Sequence, residues 1–389
     1  MENDSIVFSL FLIFFGAAVI ATVALILRQS LIIAYIAVGL LIGPSGFELI
    51  HDADLIQNIA NVGIIFLLFL LGLNLNPKEL FSLAGETSLV TGISSVLLLV
   101  MGYYYGRLFG FTLQESILIG AALMFSSTII GLKLIPTTVL HHQHTGEIII
   151  SVLLLQDIIA IILLLILEGS ADQSFGWMSI GLPLVALPSL VLVTYLIEKY
   201  VLMRLIRKFD RIQEYIFLLA IGWCLGVAET AEMLGLSYEI GAFIAGVSLA
   251  RSPIALFIAE SLKPLRDFFL IIFFVALGAN FDLSILHQIW FAALGLSLLG
   301  VLAKPVLYWM LLRFSKESSG RSAEVAIRLG QMSEFSLLLA VLAAEMQLIR
   351  DEVSFLIQFA TLVSFILSST YVVMKYPTPI ALNDRLRRD

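Results

Sequence analysis

The sequence is poor in charge, in cysteine and in histidine, and each shortage removes a class of protein. Charged residues make up 13% of the 389, about half the share of a water-soluble domain. Hydrophobic residues make up 60%, and mean hydropathy is +1.03. A water-soluble fold is excluded, and so is a soluble protein on one anchor, because the apolar excess runs from Ser5 to Tyr376. The lone cysteine, Cys224, rules out an intrachain disulfide and leaves the redox compartment unread. The five histidines (His51, His141, His142, His144 and His287) fall in loops or at the ends of apolar runs. The nucleophile–base pair of an intramembrane hydrolase is therefore missing, and no enzyme activity is expected. Neither a Walker motif nor Gly-x-Gly-x-x-Gly occurs, so nothing points to nucleotide binding, and no nucleic-acid partner is expected. Strands of alternating polarity are absent, which excludes an outer-membrane barrel. The acidic start Met1-Glu2-Asn3-Asp4 is unlike a cleavable leader.

What is present is a series of thirteen apolar segments, with approximate limits 5–27, 31–46, 55–76, 84–107, 113–135, 145–168, 177–200, 212–233, 238–257, 265–280, 285–313, 322–346 and 352–374. Turn residues and charges separate them, as at Gly43-Pro44-Ser45-Gly46, Asn76-Pro77-Lys78 and Glu168-Gly169-Ser170. With the N-terminus outside, nearly all basic residues fall on inner loops, among them Arg28, Lys78, Arg204, Arg207, Lys208, Arg251, Arg313, Lys316 and Arg385. Only Arg107 and Arg350 lie outside, and Lys304 lies within a span. This is the asymmetry of the positive-inside rule. The expected architecture is an all-α polytopic membrane protein of 13 transmembrane helices in a cell (inner) membrane, N-terminus outside and C-terminus cytoplasmic, surrounded by lipid. Residues 375–389 form a short cytoplasmic tail.

Ionisable groups within a span are functional candidates because the bilayer makes them costly. Asp157 lies midway along the sixth span, in Leu153-Leu154-Leu155-Gln156-Asp157-Ile158, with no basic residue within a turn. Lys304 lies in the eleventh span, either as the partner of a carboxylate or as a snorkelling or structural residue. Ser126-Ser127-Thr128 places three hydroxyls in the fifth span. They mark either ordinary packing through small residues or an unwound stretch that offers carbonyls and hydroxyls to a cation. Gly330-Gln331-Met332-Ser333-Glu334 interrupts the twelfth span and supplies a second acid, Glu334. Interruptions seven spans apart are of opposite orientation, the pattern of inverted-repeat secondary transporters. His141, His142 and His144 lack an acidic or thiol partner nearby, so a resident metal is not expected there.

The ordered set comprises Ser126-Ser127-Thr128, Gln156-Asp157, the run Leu236 to Val247, Phe273 to Gly278, Lys304 and Gly330 to Phe335. It resembles the monovalent cation:proton antiporter superfamily, and within it the Kef-like potassium/proton branch. The resemblance implies an NhaA/NapA-like inverted repeat with two crossing interrupted helices, in a homodimer. It implies a dimerisation part over about 5–76 and 177–280 and a core part over about 84–168 and 285–374. Asp157 matches the ion-binding aspartate, Gln156 its partner position, and Lys304 the basic residue of the core. A cytoplasmic regulatory domain or subunit is a candidate partner, because Kef-type systems carry one. The stretch Phe257 to Pro264 matches their inner loop between the ninth and tenth spans, with Lys263 in place of an acid.

The expected function is therefore antiport of a monovalent cation, potassium favoured and sodium the alternative, against protons. A channel or a sensor on the same scaffold is the competing reading. The expected ion and proton site is Asp157, Gln156, Ser126, Ser127 and Thr128, with Lys304 and Glu334 as an ion pair or as pH-tuning groups. The cation and the proton are cargo; no tightly bound cofactor is expected.

Overall fold

A computed structural model describes residues 6–27, 29, 31–49, 53–74, 86–133, 144–171, 177–209, 211–250, 252, 254–281 and 283–378. The expected turn at Asn76-Pro77-Lys78, Arg28, Arg251, His141, His142 and the tail from residue 379 lie outside them. The regular elements among the described residues are all helices. In chain order they are α1 (Ile6–Ile26), α2 (Leu31–Ile42), α3 (Ala53–Asn74), α4 (Glu86–Leu108), α5 (Leu113–Met124), α6 (Thr128–Lys133), α7 (His144–Ala171), α8 (Trp177–Ile197), α9 (Met203–Phe209), α10 (Gln213–Met233), α11 (Tyr238–Leu249), α12 (Ala255–Ala279), α13 (Leu283–Phe314), α14 (Ser319–Arg328), α15 (Glu334–Glu345) and α16 (Asp351–Lys375). A π-helical turn, Glu198–Leu202, joins α8 to α9. Among the described residues, seven helices are long and apolar enough to cross a membrane, by length and composition. Exposed apolar side chains such as Trp290, Phe291, Leu302 and Val306 on α13 are surface that water would not tolerate in this quantity.

The chain divides into two compact units. One comprises Met1–Ala17, Tyr35–Glu79 and Glu168–Asn280; the other comprises Ala18–Ala34, Leu80–Leu167 and Phe281–Asp389. In the first, α3 packs on both α11 and α12. Gly72 and Gly246 set how closely α3 and α11 approach. A Cβ on Gly246 would collide with the Phe69 carbonyl, and one on Gly72 with the Phe243 carbonyl. Small residues at a crossing let two backbones meet where burial of apolar surface supplies no drive.

In the second unit, α4 packs on α5, α13 on α14 and α16, and α15 on α5 and α16. Val90 of α4, Ile149 and Leu153 of α7, Tyr308 and Leu312 of α13, and Val325 and Leu329 from α14 and its end form one buried cluster. The cluster includes Leu329, where the second interruption begins. Serine and threonine caps start the shorter helices: Thr112 accepts from the Glu115 N–H and Glu115 reciprocates, while Ser318 accepts from the Arg321 N–H.

One expected boundary is wrong. Phe257 to Pro264 is not a loop between the ninth and tenth segments; α12 begins at Ala255 and carries Pro264 inside it. Glu260 and Lys263 form an exposed pair one turn apart on its first turns. The charges and the proline, read as punctuation, are an amphipathic helix start, and a proline within a membrane helix is tolerated where neighbouring groups take up the freed carbonyl.

Candidate functional site

Two interruptions define the site. Between α5 and α6 the backbone leaves helix at Phe125, whose φ of −80° and ψ of 146° are extended, and resumes at Thr128. Between α14 and α15 it leaves at Leu329 and resumes at Glu334, with Ser333 extended at φ −124° and ψ 155°. An interruption within a span strands carbonyls at one half-helix end and N–H groups at the next. Side chains satisfy these groups here. The Gln156 amide donates to the Met124 carbonyl at 2.8 Å and accepts from the Ser126 N–H at 3.0 Å. Ser127 caps α6 by accepting from the Ile130 N–H at 3.0 Å. On the other interruption, Ser364 of α16 accepts from the Met332 N–H at 3.0 Å, and Ser333 accepts from the Phe335 N–H at 3.1 Å.

The two interruptions are also joined to each other. The Ser126 hydroxyl donates to the Leu329 carbonyl at 2.9 Å, and the Ser336 hydroxyl donates to the Ala122 carbonyl at 2.6 Å. The Gln331 amide donates to the Ser127 carbonyl at 3.4 Å and accepts from Ser368 at 3.0 Å. Lys304, fully buried, sits at the junction: its ammonium donates to the Phe125 carbonyl at 2.5 Å and to the Gln331 carbonyl at 2.7 Å. No carboxylate lies within ion-pair distance of it among the described residues, so the expected ion pair with a carboxylate is replaced by two carbonyls. The placement follows from the half-helices. A cation is favourable where α5 and α14 end in free carbonyls, the negative ends of their dipoles.

The acids lie at the opposite ends. Asp157 on α7 is 2% exposed and Glu334, the first residue of α15, is 8% exposed. The Thr128 hydroxyl, in the first turn of α6, is 3.3 Å from both Asp157 carboxylate oxygens. Glu334 is near enough for its charge to act on Asp157. Two buried carboxylates repel, so a proton or a cation on one of them relieves the repulsion.

The expected site residues thus divide. Asp157 and Thr128 come together, with Glu334 within electrostatic range of Asp157. The hydroxyls of Ser126 and Ser127 serve backbone groups, and both N–H donors of Gln156 are engaged, one by Met124 and one by the Tyr308 hydroxyl at 2.7 Å. Gln156 braces the interruption: its carbonyl oxygen, the atom that could ligate a cation, accepts from the Ser126 N–H. Sequence reasoning missed Tyr308, although it stands one helical turn after Lys304. It also missed Ser364 and Ser368, whose spacing places them on one face of α16.

The histidine reading also changes. His144 lies between two acids, with Nδ1 2.8 Å from Glu147 and Nε2 3.0 Å from Glu317. Glu147 was one turn away in sequence, and Glu317 is brought in by the fold. No metal-ligating cluster occurs among the described residues. Glu317, in the loop between α13 and α14, also takes Arg321 of α14 at 2.6 Å. Burial pushes the Glu317 carboxyl up, but hydrogen bonds from Arg321 and His144 outweigh it and hold it below the ordinary carboxylate value. A depressed carboxyl stabilises the fold above its unfolded value, about pH 4.3, and that contribution is lost as pH falls through the folded value. Thermal unfolding of Glu317→Gln in detergent should therefore lie below wild type at neutral pH, and the gap should close under acid; a gap that does not depend on pH would contradict the clamp.

Buried Asp157 and Lys304 on unbroken helices, set against two touching interruptions of which one carries the buried Glu334, in an all-helical multi-pass membrane protein, define an ion-transport scaffold. The chain belongs to the sodium/hydrogen exchanger family: the model described as "Sodium/hydrogen exchanger, transmembrane" matches residues 10–374. Its fold is similar to that of the sodium proton antiporter MjNhaP1 from Methanocaldococcus jannaschii. One structure of that protein, at pH 8, is 20% identical, with a TM-score of 0.69 over 94% of this chain and 95% of that one. A second is 18% identical, with a TM-score of 0.67 over 95% and 96%.

Proposed function

We propose that this protein exchanges sodium ions for protons across the membrane, with Asp157 as the carboxylate that each occupies in turn. The observation that carries the reading is buried Asp157 with the Thr128 hydroxyl 3.3 Å from both its oxygens, beside two interrupted helices. With a cation bound, Asp157 is ionised and the Thr128 hydroxyl contributes a ligand oxygen. When the cation leaves, a proton takes its place. The carboxylate is neutralised in both states, and an empty ionised one is too costly to move through the dry barrier. That cost couples the two fluxes.

Sodium is preferred over the expected potassium for two reasons. The family description and the related MjNhaP1 both name sodium. The amide of Gln156, beside the aspartate, is spent on the interruption and on Tyr308, so it lends potassium no support.

The same reading takes the unit with α4 to α7 and α13 to α16 as a moving core, and the unit with α3 and α8 to α12 as the dimerisation part of a homodimer. The division of the chain into two compact units supports this. The thirteen-span, inverted-repeat topology with its N-terminus outside rests on the inner excess of basic residues and on the two interruptions. Transport then proceeds by an elevator-like movement of the core in the inner membrane.

The test is the pH dependence of the apparent sodium KM in proteoliposomes. For one carboxylate shared between one proton and one cation, KM rises about tenfold for each unit by which pH falls once the site is mostly protonated, and the maximal rate at saturating sodium is unchanged. A KM independent of pH would contradict a shared site.

A further inference from the structure

The side chain that holds the first interruption in shape comes from a helix that carries neither acid. Tyr308 of α13 is fully buried. Its hydroxyl accepts from Gln156 Nε2 at 2.7 Å, and the side chains of Ser94 and Ser126 neighbour the same hydroxyl. The other groups of the Gln156 amide take the Met124 carbonyl and the Ser126 N–H. An unbroken helix would satisfy such groups within itself; here a single amide does so from α7. An unrestrained glutamine has several rotamers and a reversible amide. The Met124 carbonyl can only accept and the Ser126 N–H can only donate, so these two set which way the amide faces, and the Tyr308 hydroxyl takes the remaining N–H and holds the side chain in the rotamer that makes all three bonds.

The geometry points to Tyr308 as a positioning residue for the cation site. Gln156 and Asp157 are adjacent on α7, and Ser126 and Thr128 are two residues apart on the interrupted segment. Whatever fixes the Gln156–Ser126 bond therefore fixes how Thr128 meets the Asp157 carboxylate. The hydroxyl now lies 3.3 Å from both oxygens, a long and symmetric contact that leaves the carboxylate open to a further ligand. Tyr308 also stands one turn beyond Lys304, whose ammonium holds the Phe125 carbonyl between the two residues that Gln156 takes. Helix α13 thus grips Met124, Phe125 and Ser126 in succession, directly through Lys304 and indirectly through Tyr308.

The inference rests on Asp157 being the cation site, and its test reads binding rather than flux. Thermal unfolding in detergent is followed against sodium chloride, with choline chloride holding ionic strength constant, and gives the sodium concentration for half of the stabilisation. Tyr308→Phe keeps the ring in its cluster and removes only the hydroxyl. The half-saturating concentration is expected to rise about three- to tenfold, the range of one lost hydrogen bond. A purely structural role would lower the unfolding temperature without sodium and leave that concentration unchanged, which would overturn the assignment. Gln156→Met removes all three bonds, so adding Tyr308→Phe to it should weaken sodium binding no further. A multiplied effect in the double variant would show that Tyr308 acts by another route and would also overturn it. A wild-type protein that binds sodium but exchanges none would contradict the exchange reading and leave the positioning of the site standing.

Discussion

Asp157→Asn is expected to abolish sodium-driven proton movement, down to the level of empty liposomes, while leaving the protein folded. Asparagine has nearly the shape of aspartate and keeps an oxygen for the Thr128 hydroxyl, but it can neither ionise nor carry a proton between states. It also removes a buried charge that Glu334 repels. Replacing a buried ionised group with a neutral one of equal volume is often neutral or stabilising, so the unfolding temperature should equal or exceed that of wild type. The combination matters: activity is lost without loss of stability, and sodium no longer shifts the unfolding temperature. Loss of both activity and fold would assign Asp157 a structural role.

Lys304→Met is expected to do the reverse, with its first effect on stability. Methionine fills much of the same volume but donates nothing, so the Phe125 and Gln331 carbonyls lose a donor they receive at 2.5 and 2.7 Å. Unmet buried polar groups cost about 1–3 kcal/mol each. Relief from burying an ammonium offsets part of this, which leaves a net loss of roughly 3 kcal/mol. Lys304→Gln, with a shorter arm that still donates, should fall between. A double-variant cycle separates this account from an ion pair. If Lys304 served Asp157, then Asp157→Asn would rescue Lys304→Met by removing the orphaned charge. If Lys304 serves carbonyls, the two changes should add within about 0.5 kcal/mol. Rescue would restore the ion-pair reading.

The sequence made the two interruptions visible because their residues disagree with a helix in lipid. Three hydroxyls at 126–128 and Gly330 to Ser333 offer the backbone other partners, and the structure leaves helix at both places. Asp157 was visible for the same reason: a charge among leucines and isoleucines, with no basic residue within a turn, is costly in lipid. The partners of Lys304 were hidden because they are backbone carbonyls, which every residue carries and no alphabet of side chains marks. Gln156 looked like a ligand because an amide beside an aspartate has the right chemistry. Its actual acceptors, Met124 and Tyr308, lie 32 and 152 residues away in sequence. The hydroxyls of α16 at Ser354, Thr361, Ser364 and Ser368 have helical spacing that could have been read as one polar face. What they bond to, including Gln331 and the Met332 N–H, required the fold. Glu317 is likewise 173 residues from His144, beyond any local reading.

The central claim is that one buried carboxylate couples the two fluxes. The most direct measurement is proton movement in proteoliposomes containing an internal pH dye, with sodium pulses applied to wild type and to Asp157→Asn in parallel. The account predicts a sodium-dependent pH change in wild type, a smaller one with potassium, and none in the variant, with both proteins folded. Coupled exchange that persists in folded Asp157→Asn would contradict it, as would sodium flux through wild type without any movement of protons.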